Sequence, residues 1–273
     1  MSLLDPISHA LAAVVATTHD GLTALGADPD SGTTWVLCIA AVVVVVRTLV
    51  LPIAVHGVRL AHANARARPH LAELQKRFKE RSAAKDPNAT REFMEERRRI
   101  TAEHGVSRWG CLPLLVQIPV WIALYHLLAN LARGQEVGLM DAGQVSSLRQ
   151  ATLAGVPLAD AGYLGAGAGH LAVVAGLAAT AALLSYATQR WLVRQNTVMT
   201  DAPEMMVTVQ NTMPLVSAGG MLLAGGVVPV ALLVYWVCSQ VWTMAQSAVV
   251  WRWYPTPGSP AAERAEARTA ARA

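Results

Sequence analysis

The sequence predicts an all-α polytopic membrane protein. Five transmembrane helices enclose a hydrophilic groove open to the cytosol, with a cytosolic helical hairpin and an N-terminal amphipathic helix at the membrane interface. Three observations predict this. Of 273 residues, 53% are hydrophobic and only 15% charged, whereas a soluble domain carries roughly a quarter charged. The apolar residues gather into five runs, each near the ~20 residues that carry a helix across a bilayer core. The polar residues within those runs share one depth. The eight tryptophans against two phenylalanines fit interfacial anchoring better than a soluble core.

Residues 1–32 come first. No positive n-region precedes the apolar stretch, and His9, His19 and Asp20 interrupt it, so it does not read as a cleaved signal peptide. Leu4, Ile7, Leu11, Val14, Leu22 and Leu25 recur at roughly helical spacing. That pattern predicts an amphipathic helix lying on the membrane surface, ended by ADPDSG at 27–32.

The first span covers 33–55, and its apolar part, 35–55, holds one charge, Arg47. A central arginine costs about 2.5–3.5 kcal/mol on insertion scales. Snorkelling to the interface is one way to lower that cost, but about eight residues separate Arg47 from His56. The other way is for Arg47 to face water or polar partners inside a bundle.

Residues 56–109 differ in kind, with 13 Lys and Arg against seven acids. Leu71, Leu74 and Phe78 form one thin stripe before a turn at Asp86-Pro87-Asn88. Phe93, Met94, Arg97 and Ile100 then share a helical face, and Gly105 is placed as a C-cap. This predicts a weakly packed helical hairpin projecting into water, with a solvated charged linker as the alternative.

The remaining elements are a second span at 110–131, a loop at 132–170, a third span at 171–190, a loop at 191–204, a fourth span at 205–226, a fifth at 227–250 and a tail at 251–273. Gly225-Gly226 alone divide the last two spans, which predicts a tight hairpin. Cys38, Cys111 and Cys238 lack metal-ligand spacing and read as buried apolar residues. No metal or cofactor is expected.

Lysine and arginine set the orientation. The basic hairpin belongs in the cytosol, and the segment before Trp35, with no Lys or Arg, belongs outside. Five spans then place the C-terminus in the cytosol, where Arg252, Arg264, Arg268 and Arg272 lie, with Arg190 and Arg194 at the cytosolic loop. With this orientation, Arg47, Gln117, Gln189, Asn211, Trp236, Ser239, Gln240 and Thr243 all fall toward the inner leaflet. The residues of the fifth span follow a 3–4 residue spacing. With Tyr125 of the second span, these are the candidate groove residues. Ordinary interhelical hydrogen bonding explains any one of them, but it accounts less well for their shared depth. Arg77, Lys79, Arg97, Arg98 and Arg99 are candidate recruitment residues on the hairpin.

Three stretches resemble the YidC/Oxa/Alb family of membrane insertases: RTLVLPI at 47–53, ITAEHGVSRWGCLPLLVQIPVWIALYHLL at 100–128, and MPLVSAGGMLLAGGVVPVALLVYWVCSQVWTMAQ at 213–246. The similarity covers roughly 30–250. Two departures stand out: Val-Ala-Leu follows Pro229 where the family commonly has Ala-Gly-Leu, and Gln240 replaces a usual Asn. The resemblance implies a non-enzymatic insertase and chaperone in the cell membrane, handling nascent membrane proteins in the lipid bilayer. The Sec translocon and the ribosome are its candidate partners, and no specific nucleic acid is expected. The short tail puts tight ribosome binding in doubt. A small polytopic transporter or channel is the competing class, but it would want polar residues in both leaflets or inverted repeats with broken helices. No HExxH, GxSxG or paired membrane carboxylates suggest an enzyme.

Overall fold

The computed structural model describes residues 5–83, 88–106, 112–164, 167–199 and 204–272. Leu4, the turn at Asp86-Pro87 and Cys111 lie outside the described residues. Among the described residues the chain is all-α apart from one β-hairpin of two two-residue strands. In order it forms α1 (Asp5–Ala24), α2 (Gly32–Ala83), α3 (Ala89–Glu103), α4 (Leu112–Ala132), α5 (Ala142–Gln150), β1 (Thr152–Leu153), β2 (Val156–Pro157) and α6 (Ala168–Ala187). A π-helical turn (Thr188–Val193) and a 3₁₀ turn (Arg194–Asn196) follow, then α7 (Glu204–Gly225), α8 (Val230–Trp253) and α9 (Pro260–Ala270). Among the described residues, two helical runs are long and apolar enough to cross a membrane, Gly32–Arg81 and Ala168–Asn196, and a shorter apolar helix occupies Gln117–Ala132.

The residues form two compact units. The first comprises Met1–Leu51, Leu114–Gln189 and Met213–Ala245. Its core joins Trp35, Val42 and Val46 of α2 to Leu127 and Leu131 of α4, Val174 and Ala178 of α6, and Leu232 and Leu233 of α8. One face of α2 turns inward while Val44, Leu49 and Leu51 are exposed, the division expected of a helix with protein on one side and lipid on the other.

Helix α1 departs from the sequence expectation. Its buried stripe is Leu11, Ala12, Val15, Ala16 and His19, which joins this same core. The apolar face therefore meets protein rather than lying free for lipid, and Leu25 is 86% exposed. His19 explains part of the difference. It interrupts the apolar pattern, yet it is buried, stacked on Trp35 at 4.6 Å between ring centroids, with Nε2 donating to the Pro29 carbonyl at 3.1 Å. Trp35 Nε1 donates to Ser147 Oγ at 3.0 Å, and Ser147 Oγ donates to the same carbonyl at 2.7 Å.

The segment between α4 and α6 is also more structured than the loop expected of it. Asp141 caps α5 by accepting from the Gln144 amide, and Met140, Val145, Leu148, Val156 and Leu158 join the core. β1 and β2 pair antiparallel, Thr152 with Pro157 and Leu153 with Val156. Ala154 and Gly155 both have positive φ, as a two-residue type I′ turn requires. The chain just after β2 satisfies the start of α8: Val230 N–H donates to the Asp160 carbonyl at 2.8 Å and Ala231 N–H to the Leu158 carbonyl at 2.9 Å. Helix starts leave such amides without intrahelical partners, so this packed segment supplies them.

Gly225 ends α7 and Gly226 opens the short link to α8, and both are there for room rather than for unusual dihedrals. A Cβ at either position would lie 2.8 Å from Tyr163 atoms, and the Tyr163 hydroxyl donates to the Leu222 carbonyl.

The second unit comprises Pro52–Pro113, Arg190–Thr212 and Gln246–Ala273. α2 runs unbroken through residues 55 and 56, where the span was expected to give way to a separate hairpin. At 52 residues it is about 78 Å long at 1.5 Å per residue. A change from apolar to charged composition does not stop a helix, and Pro52 and Pro69 are both accommodated inside it. The hairpin arms meet through Phe78 and Phe93 (4.6 Å between centroids) and through His70 and His104 (4.9 Å). Arg81 and Glu92 are ion-paired across the turn. α3 ends as Gly105 predicts: with φ +68°, its N–H donates to the Ala102 carbonyl and that of Val106 to the Thr101 carbonyl, a Schellman closure.

Candidate functional site

Arg47 is the centre of the site. On α2 it follows the buried Val42, Val43 and Val46, so its side chain leaves the face that meets protein. One terminal nitrogen, Nη2, donates to Ser239 Oγ at 2.7 Å and to Thr243 Oγ1 at 2.9 Å. Ser239 and Thr243 are four residues apart on α8 and so share a face. Thr243 Oγ1 also donates to the Ser239 carbonyl at 2.8 Å, which holds its rotamer. Tyr235 lies one turn earlier on that face and is buried.

Among the described residues no carboxylate lies within ion-pair distance of Arg47. Its immediate partners are two neutral hydroxyls. A guanidinium carries five N–H donors in a planar fork, and two bonds from one nitrogen leave others for water or an incoming acceptor. The arginine thus ends on a polar stripe of α8, not along the α2 surface as snorkelling would have it.

The other candidate groove residues are placed individually. Gln117 and Tyr125 are half-buried on α4, and Tyr125 has Trp121 at 6.4 Å and His126 at 5.8 Å between centroids. Gln189 donates to the buried Ser185 Oγ at 3.1 Å. Trp236 is packed in the core. Gln240 reaches Met221 Sδ at 3.9 Å, a weak contact, since thioether sulfur is a poor acceptor. All of these belong to the unit of Arg47. Asn211 is exposed on α7 and belongs to the second unit. Among the described residues, Ser239 and Thr243 are the candidates hydrogen-bonded to the arginine.

Sequence reasoning missed Tyr235. Its place four residues before Ser239 was the available signal, obscured because the neighbouring Trp236 is equally aromatic. It also missed the His19–Trp35–Ser147 network, whose parts lie over a hundred residues apart.

The hairpin candidates divide into two kinds. Arg77 pairs with Glu73 and Arg99 with Glu96 and Glu103. The hydrogen bond from Arg99 holds the Glu103 carboxyl below the usual range. These pairs are exposed and add little stability. Lys79, Arg97 and Arg98 are exposed, with no carboxylate partner among the described residues.

A family model described as the 60Kd inner membrane protein matches residues 27–257. A membrane protein insertase YidC of Streptomyces avermitilis is 31% identical over 245 residues, covering 85% of this chain and 54% of that protein. The chain therefore spans about half the length of that relative. Proteins of the same name from Bifidobacterium longum and Tropheryma whipplei (strain Twist) are 26% and 27% identical, over 97% and 96% of this chain and 80% and 87% of theirs.

Proposed function

The chain belongs to the 60Kd inner membrane protein family, and from that membership we propose that it is a membrane protein insertase of the cell membrane. It inserts nascent integral membrane proteins and helps them fold, alone or beside the Sec translocon. The observation that carries the reading is the guanidinium of Arg47, seated on Ser239 and Thr243 within an apolar setting and, among the described residues, without a neutralising carboxylate. A charge held this way supports a groove that meets the polar segment of a substrate. A groove through part of the bilayer shortens the apolar barrier that segment must cross, while the apolar part of the substrate slides into lipid. No covalent step is required.

The proposal retains five spans at 33–55, 110–131, 171–190, 205–226 and 227–250, with the N-terminus outside and the C-terminus in the cytosol. Gln117, Tyr125, Gln189, Trp236 and Gln240, all of the same unit as Arg47, line the groove with the Arg47 cluster. Lys79, Arg97 and Arg98 are the hairpin charges freest to recruit a substrate or the ribosome. Cysteine labelling checks the orientation: a probe between residues 133 and 164 should react from outside intact cells. Reaction only after permeabilisation would reverse the topology.

The function itself is tested in proteoliposomes with a single-span substrate, scored by protease protection of the translocated tail. Protection well above that of empty liposomes is expected. In the same assay, the chain lacking 72–101 should lose most activity while remaining in the membrane, because two thin stripes and the Phe78–Phe93 contact contribute little to a core. Protection no greater than in empty liposomes would reject insertase activity.

A further inference from the structure

The second unit contains a cavity of about 430 Å³ whose lining includes Arg190, Arg194, Gln195, Thr197, Gly258 and Glu263. Arg190 lies in the π-helical turn Thr188–Val193 and Arg194 opens the 3₁₀ turn after it. π-turns inside longer helices are uncommon and concentrate at functional sites. Here the departure from α geometry ends the apolar run Ala168–Asn196 and leaves two arginines on one cavity. The far wall is set by the chain leading into α9. Thr256 N–H donates to Asn196 Oδ1 at 2.8 Å, and Ser259 caps α9 by accepting from the Ala262 amide. Glu263 is the one acid of the lining, and among the described residues no carboxylate lies within ion-pair distance of either arginine. The lining is therefore net positive.

We propose that this cavity binds the phosphate headgroup of an anionic phospholipid of the cytosolic leaflet. Two guanidiniums suit the charge and geometry of a phosphate. The surroundings favour a lipid over a soluble phosphate or a nucleic acid. Trp191, between the two arginines, is 63% exposed, and Trp253 and Tyr254 at the end of α8 are 64% and 61% exposed, beside Arg252. Exposed tryptophan and tyrosine at the end of an apolar helix mark the headgroup level of a bilayer, and clustered basic residues there attract anionic lipid. The proposal rests on the membrane embedding of Ala168–Asn196 and not on insertion activity, so its readout is lipid binding.

The test is native mass spectrometry of the full chain in detergent, titrated with phosphatidylglycerol or with phosphatidylcholine. Retention of phosphatidylglycerol about tenfold over phosphatidylcholine is expected. R190Q/R194Q should lose that preference, while the tail control R264Q/R272Q should keep it. R190K/R194K, which preserves the charge, should retain most of it; loss in the Gln and Lys variants alike would mark a structural role and overturn the proposal. Equal retention of both lipids by the unaltered chain, or unchanged preference in R190Q/R194Q, would also overturn it. So would complete displacement of the lipid by millimolar inorganic phosphate or by an RNA oligonucleotide.

Discussion

Arg47→Ala is expected to leave the protein folded in the membrane and to remove most insertion of substrates whose translocated tails are acidic. The stability half of this expectation follows from the partners. Where an arginine is held by a buried carboxylate, deleting it strands a charge and costs about 3–5 kcal/mol. Arg47 is held by Ser239 and Thr243. The Thr243 hydroxyl keeps its own bond to the Ser239 carbonyl. Losing two hydrogen bonds to neutral groups costs about 1–3 kcal/mol, and no charge is left behind.

The activity half is Coulombic. In a partly wet cavity at an effective dielectric near 20, opposite charges about 4 Å apart attract by roughly 4 kcal/mol. If that attraction lowers the insertion barrier, its loss slows insertion up to about a thousandfold for an acidic tail and little for a neutral one. Arg47→Lys should retain part of the activity, since attraction matters more than a forked geometry, although one ammonium holds two hydroxyls less well. Matched substrates differing only in tail charge, assayed in proteoliposomes, separate the outcomes. Equal loss for acidic and neutral tails would defeat the charge role. Full activity of Arg47→Ala on both would defeat the importance of the arginine.

Arg47 was legible in the sequence because a charge in an apolar run is costly enough to demand an explanation, and very few residues offer one. Ser239 and Thr243 were legible for a related reason: polar residues recurring every three or four positions in an apolar helix define a face. The contact between that face and Arg47 was not legible, because helical period sets a direction and not a partner. α2 hid its length because the change of composition near residue 56 has no backbone consequence. α5 and the β-hairpin hid because they are short and their stabilising contacts are remote. Trp35 reads as an interfacial anchor at the start of a span, whereas it is 1% exposed, donating to Ser147 and stacked on His19.

Gly32 carries the largest structural consequence of that hidden packing. As the first residue of α2 it reads as an ordinary loop-to-helix glycine. A Cβ built there would lie 1.9 Å from the Thr152 carbonyl oxygen and 2.8 Å from its carbon. Both are backbone atoms of β1, so no side-chain rotation can relieve the overlap, and one of the two segments must move by about 1 Å or more to restore ordinary contact. Thr152 is tied to Pro157 across the hairpin, and the chain beyond it caps α8 through Leu158 and Asp160. On the other side Thr34 is bound to the Asp28 carbonyl and Trp35 to Ser147. Gly32→Ala is therefore expected to destabilise by about 2–4 kcal/mol, from overpacking and from the strained bond of Trp35. Gly21→Ala is the matching control. It is an exposed position inside α1 where an added Cβ meets nothing within 4 Å, and alanine there should gain about 0.5–1 kcal/mol of helix stability. Thermal unfolding of the two variants in detergent, followed by tryptophan fluorescence, should move the midpoint in opposite directions. A Gly32→Ala midpoint at or above that of the unaltered chain would show that β1 does not press on the start of α2.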